Sequence, residues 1–224
     1  MTVIVAARTA NDGICIASDS LTSSGWEKLQ LDRSKVWVSN PYVIGAAGCV
    51  RTSQVVRHFA SWPKFRPDED TDIEAFLVKS VAPAIKDATK DAGVEHVKDG
   101  VVHLNASFIV AWGDYLAEIA GNRAVCVPQY GRHAIGSGYA EALGFLGKQG
   151  PWTIDQVVEA ARRATISADG CEGPIDYATT KGLAVVHGAL PGWDAEPMPQ
   201  QVATFRPDPG LQEKKPKPKK GAHT

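Results

Sequence analysis

Thr2-Val3-Ile4-Val5-Ala6-Ala7, then Asn11-Asp12-Gly13, then Ile14-Cys15-Ile16-Ala17 and Ser18-Asp19-Ser20: these segments at the start of the chain decide its fold. The apolar run from Thr2 reads as a strand. Asn, Asp and Gly are the residues that tight hairpin turns favour. Pairing Val3–Arg8 with residues 14–18 returns Asp19 to the side of the first strand residue. Removal of Met1 would leave Thr2 with a free α-amine. Its hydroxyl is then a nucleophile, and its amine, with an unperturbed pKa of about 7.7–8.0, a base that works near neutral pH. An anionic Asp19 beside it would hold that ammonium, or a nearby lysine. The plainer reading is an ordinary hairpin ending in a solvated Asp, since many chains begin Met-Thr with an inert hydroxyl.

Composition bounds the rest. The 224 residues make one sizeable domain, or one domain and a tail. A formal net charge of −1 gives no global attraction to nucleic acid or membrane. No apolar run approaches the ~20 residues that span a bilayer, and the N-terminus lacks the basic and apolar regions of a signal peptide. Cys15, Cys49, Cys126 and Cys171 lie far apart without metal-like spacing. Reduced thiols in a cytoplasmic protein are expected, with Cys15 and Cys126 in the core. His58, His96, His103, His133, His187 and His223 form no ligand pattern, so neither a metal nor a cofactor is expected.

Further along, Lys35-Val36-Trp37-Val38 reads as a strand, and Asn40-Pro41 turns into Tyr42-Val43-Ile44-Gly45-Ala46-Ala47. Residues 50–62 read as a helix. The next helix opens on a capping box at Thr71 and Glu74. Its apolar stripe is Ile73, Phe76, Leu77, Val81 and Ile85, and Pro83 should kink it. Strands follow at 105–112 and Tyr115–Ile119. Helices are expected at 137–146 and at about 153–168, the second with a capping box at Thr153 and Gln156. A last strand pair covers about 174–179 and 182–187. Blocks of strands, helices, strands, helices and strands argue for stacked α+β layers, not βαβ units. Residues 1–190 make the domain. From Pro191 the chain turns proline-rich and polar, ending in Glu213-Lys214-Lys215-Pro216-Lys217-Pro218-Lys219-Lys220, a segment expected to be disordered and solubilising.

In this order the motifs resemble the proteasome β-subunits and the related HslV and Anbu peptidases, all N-terminal-nucleophile (Ntn) hydrolases. The resemblance runs from Thr2 to about His187. Thr2 is similar to the family's N-terminal threonine. Ile16-Ala17-Ser18-Asp19-Ser20 is similar to its acid-bearing strand, and Ser34-Lys35-Val36-Trp37 to the lysine that opens the next strand. Gly45-Ala46-Ala47-Gly48 resembles the segment whose glycine amide makes the oxyanion hole. Ala134-Ile135-Gly136-Ser137-Gly138-Tyr139-Ala140 resembles the turn into the third helix, and Asp169 the acid before the last strands.

The resemblance implies a four-layer αββα sandwich of two antiparallel sheets flanked by helices. It implies a threonine peptidase in which Thr2 attacks peptide bonds through an acyl-enzyme. Asp19 holds Lys35, Gly48 binds the oxyanion, and Ser137 and Asp169 orient the α-amine. A family serine is replaced by Glu172, a carboxylate expected near that amine. The family places the specificity pocket near Thr22, Arg33, Ala46 and Val50, a small and partly basic set. Expected partners are peptide or unfolded-protein substrates, further copies of the chain in a ring, and an ATP-dependent unfoldase. Two other readings stand beside this one: a catalytically silent ring scaffold, and a non-peptidase Ntn amidohydrolase. Local readings also coexist with the catalytic ones. Ser137 serves equally as a helix cap, and Asp169 before Gly170 as a helix end.

Overall fold

The structure is a computed structural model that describes residues 2–24, 27–30, 33–168 and 171–189. Asp169 and the expected tail at 191–224 lie outside the described residues.

The N-terminal hairpin forms as its sequence dictates. Strands β1 (Val3–Arg8) and β2 (Ile14–Asp19) pair antiparallel with Ile4 opposite Ser18 and Arg8 opposite Ile14. Asp12 and Gly13 close the turn through the Thr9 hydroxyl, which donates to the Gly13 carbonyl and accepts from the Asp12 N–H. β3 (Leu21–Ser24) and β4 (Glu27–Gln30) form a small separate hairpin. β5 (Val36–Ser39) and β6 (Tyr42–Gly48) pair next. β7 (Glu95–Lys98) and β8 (Val101–Leu104) make a second small ribbon. β9 (Ala106–Trp112), β10 (Tyr115–Ile119), β11 (Val125–Cys126) and β12 (Arg132–Gly136) follow, and β13 (Ile175–Thr179) and β14 (Val185–Ala189) end the described domain.

These strands build two five-stranded antiparallel sheets, ordered β12-β1-β2-β13-β14 and β11-β10-β9-β6-β5. Side-chain alternation along each strand then sets the layers. Ile4, Ala6, Ile14 and Ile16 point from the first sheet onto Val36, Val43, Ile109 and Ala111 of the second, making a buried inter-sheet core. On the opposite face of the first sheet, Val3, Val5, Cys15 and Ala17 pack against α4 (Tyr139–Leu146) and α5 (Ile154–Ser167). Outside the second sheet, Ile44, Phe108, Val110 and Trp112 pack against α1 (Val50–Phe59) and the helical run beginning at α2 (Ile73–Phe76). The molecule is thus helix, sheet, sheet, helix: an α+β sandwich. Among the described residues no helix is long and apolar enough to cross a membrane.

Several local expectations shift. α1 stops at Phe59, short of residue 62. The second helix is capped by Asp72, whose carboxylate accepts the Ala75 N–H at 3.0 Å, one residue beyond the expected Thr71 box; aspartate caps as well as threonine. Pro83 does not simply kink that helix. The chain widens into a π-turn at Leu77–Val81, where the Ala82 N–H bonds Leu77 O, and restarts as α3 (Ala82–Asp91) with Pro83 in its first turn. Pro83 lacks an N–H and its ring would clash one turn upstream, and the wider turn lies where that clash would fall. The Thr153–Gln156 capping box is reciprocal, with bonds of 3.2 and 2.9 Å. Cys15 is buried, but Cys126 is exposed on the short edge strand β11, not in the core.

Candidate active site

Thr2 stands one residue before β1, at the mouth of the inter-sheet space, and is only 7% exposed. β1 is flanked by β2 and β12, so both neighbours deliver side chains to it. β2 ends on Asp19, which is fully buried and accepts the Val3 N–H at 2.9 Å. From the second sheet, Lys35 at the foot of β5 reaches across. Its Nζ lies 2.8 Å from Thr2 Oγ1 and 2.9 Å from each Asp19 carboxylate oxygen. The lysine's three donors are thereby directed at one hydroxyl and one carboxylate.

Electrostatics follow from this burial. Loss of hydration pushes the Asp19 carboxyl upward, opposed by the charge and hydrogen bonds of Lys35 and by N–H groups of Val3 and Glu172. The same loss of hydration pushes Lys35 downward, opposed by Asp19. The attraction within the pair opposes the loss of hydration without cancelling it, so the net direction is upward for Asp19 and downward for Lys35.

β12 supplies the other flank. Gly136 faces Val3 in the ladder with φ of +89°, and a Cβ there would lie 2.1 Å from the Thr2 carbonyl oxygen, so only glycine lets the strands close. Ser137 follows immediately. Its hydroxyl accepts the Thr2 N–H at 3.2 Å and lies 3.4 Å from both the Thr2 carbonyl oxygen and Cys171 Sγ. α4 starts only at Tyr139, so Ser137 is held in the turn and not inside the helix.

Glu172 departs from expectation. Its carboxylate pairs with Lys28 at the surface, and only its backbone N–H serves Asp19. The side chain that reaches Ser137 is the buried Cys171, whose thiol burial pushes up, the Ser137 hydrogen bond opposing. The sequence placed Cys171 one position before the expected carboxylate and gave no sign of which would turn inward.

A cavity of about 490 Å³ opens beside Thr2. Thr22, Arg33, Ala46 and Val50 all line it, together with Lys35 and Gly48. Gly48 ends β6 with φ of +118°, where a Cβ would come 2.3 Å from Asn105 O. Arg57, His58 and Trp37 also line the cavity. Sequence reasoning took Trp37 only as part of a strand and passed over Arg57 and His58; their position two turns along α1 from Val50, itself expected at the pocket, was the available signal. Among the described residues no group of His, Cys, Asp and Glu side chains is gathered to hold a metal.

No family model matches the sequence, and no curated protein does. Solved structures do match in shape. BPH from Thiobacillus denitrificans superposes with a TM-score of 0.65 at 18% identity, over 84% of this chain and 98% of that one. HslV from Trypanosoma brucei gives 0.57 at 20% identity, over 79% and 98%. Anbu from a Hyphomicrobium strain gives 0.56 at 15% identity, over 84% and 87%. At these identities the likeness speaks for architecture alone: this chain has the fold shared by BPH, HslV and Anbu.

Proposed function

We propose that the protein is a threonine peptidase that uses Thr2, exposed by removal of Met1, as its nucleophile. One observation carries this reading: Lys35 Nζ is shared between Thr2 Oγ1 and both oxygens of a fully buried Asp19. A solvated surface lysine has no reason to pay the desolvation cost of such a position.

In the proposed reaction Thr2 Oγ attacks the peptide carbonyl. Its proton passes to the freed α-amine, which Ser137 and Asp169 orient. Lys35 lowers the proton affinity of the hydroxyl and keeps the amine neutral more of the time. The Gly48 N–H donates to the oxygen that becomes negative, a contribution of about 2.7–4 kcal/mol in comparable sites. The α-ammonium returns its proton to the leaving amine as the C–N bond breaks. Water then attacks the Thr2 ester, the α-amine again accepting a proton and passing it to Oγ as the ester C–O bond breaks, which releases the acid product and free Thr2.

The test is intact-mass measurement with and without a peptide epoxyketone. The T. denitrificans BPH has been solved in complex with epoxomicin, which makes this class of probe the natural choice. The expected result is loss of the Met1 mass and one adduct, absent in Thr2→Ala. Unmodified protein after quantitative Met1 removal would overturn the reading.

Self-association belongs to the same proposal, with a head-to-tail ring and an ATP-driven unfoldase as its fullest form. It is supported by large apolar side chains left on helix surfaces, Phe59 of α1 and Ile166 of α5 at 72% and 70% exposure. Light scattering on the purified protein tests it; a monomer at micromolar concentration would count against it.

A further inference from the structure

Besides Lys35, which Asp19 holds, the cavity beside Thr2 is lined by two arginines and a histidine, Arg33, Arg57 and His58. Arg57, on α1, lays its guanidinium over the Trp37 ring at 4.7 Å and donates through Nη2 to the Ser34 carbonyl. Its Nε is buried with no hydrogen-bond partner. Burial first, and the Arg33 charge second, bring its pKa down to about 10. Arg33 Nη1 in turn lies 3.4 Å from His58 Nε2. Among the described residues, none of Arg33, Arg57 and His58 is in an ion pair with a carboxylate. Of the three, Arg57 is the one missing a partner that burial calls for, at its Nε; Arg33 and His58 are exposed at the cavity rim.

We propose that Arg57, with Arg33 and His58, forms a carboxylate-binding site in this cavity, so that the protein cleaves after aspartate or glutamate. The proposal rests on the peptidase reading of Thr2. A substrate whose carbonyl carbon meets Thr2 Oγ, with its oxygen toward Gly48, sends the preceding side chain into the space that both residues border. Ala46 and Val50 offer that side chain an apolar wall for its methylenes. Arg57 and Arg33 offer its head planar donors of the kind that match a carboxylate. An apolar side chain would leave Nε of Arg57 unsatisfied, and a basic one would add a like charge beside the two arginines.

The experiment uses the full chain after Met1 removal and acetylated fluorogenic peptides that differ only in the residue before the scissile bond. Glutamate is compared with its neutral isostere glutamine, and with leucine and arginine. Glutamate is expected to exceed glutamine by tenfold or more in kcat/KM, with arginine the poorest. In Arg57→Gln, and separately in the surface-sited Arg33→Gln, the Glu/Gln ratio falls toward one. The second variant keeps the test open where the first does not fold. Thr2-dependent cleavage that treats glutamine or leucine as well as glutamate overturns the proposal while leaving the peptidase reading intact. Absence of turnover with every peptide overturns the peptidase reading instead. The carboxylate site is then read by calorimetric titration of the glutamate and glutamine peptides into Thr2→Ala. Tighter glutamate binding that Arg57→Gln or Arg33→Gln abolishes supports the site, and equal or undetectable binding overturns it.

Discussion

Lys35 and Asp19 meet from opposite sheets, Nζ 2.9 Å from both carboxylate oxygens, with Asp19 fully buried and Lys35 8% exposed. The pair is therefore a tie across the sandwich as well as the setting for Thr2. Lys35→Met removes one partner and leaves a carboxylate buried alone. A loss of about 3–5 kcal/mol in folding stability is expected from urea unfolding. The double variant Lys35→Met with Asp19→Asn should be less destabilised than the sum of the singles. Additive losses would show that the two side chains do not depend on each other.

Gly48→Ala is expected to damage both fold and turnover. Its φ of +118° and the 2.3 Å approach to Asn105 O leave no room for a methyl group. Backbone strain of about 1–3 kcal/mol should appear as a lowered Tm. Displacement of its N–H should lower kcat roughly 100-fold or more. Wild-type kcat in a folded Gly48→Ala would remove Gly48 from the oxyanion role.

The cysteines should separate by pH. Thiolate is the form that alkylates. Burial raises the Cys49 pKa, but hydrogen bonds from Thr52 and Arg51 at the start of α1 outweigh it and hold the thiol below its ordinary value. Burial pushes Cys15 and Cys171 the other way. A lowered pKa means more thiolate at any given pH, and a raised one means less. With iodoacetamide, as pH rises from about 6 to about 9 around the ordinary thiol value, Cys49 should be modified first. Cys15 and Cys171 should react only at the upper end or on unfolding. Peptide mapping that finds Cys171 modified before Cys49 would contradict this order.

Thr153→Ala removes the hydroxyl that accepts the Gln156 N–H at the start of α5. A loss of about 1 kcal/mol is expected, with Thr153→Ser close to wild type. Because α5 packs on the outer face of the first sheet and not at Thr2, kcat for any Thr2-dependent substrate should hold.

The N-terminal hairpin and its register were legible because alternation and turn chemistry agree there: Ile4 and Ile16 face one layer, Val3 and Ala17 the other. The juxtaposition of Thr2 with Asp19 followed from that register. Its contact with Lys35 and Ser137 did not, since those bonds cross 33 and 135 residues of sequence. They came from motif resemblance, not from periodicity. The ribbon of β7 and β8 was missed because Glu95–Lys98 is mixed, exposed and without apolar alternation. β12 was read only as an approach to a turn, since Arg132 and His133 mask its inward Ala134. The switch between Cys171 and Glu172 depends on which of two adjacent side chains turns inward ahead of β13. A shift of one residue reverses every such assignment.

Strand order has a further consequence for timing. The sheet that Thr2 leads into interleaves early and late strands of the described residues: β1 lies between β2 and β12, and Asp19 on β2 is paired with Ile175 on β13. During synthesis Thr2 leaves the ribosome well before Ser137 and β13. Contacts of such long range form only after most of the chain is free. Whatever chemistry Thr2 performs is therefore withheld from the nascent chain, a delay built into the topology itself.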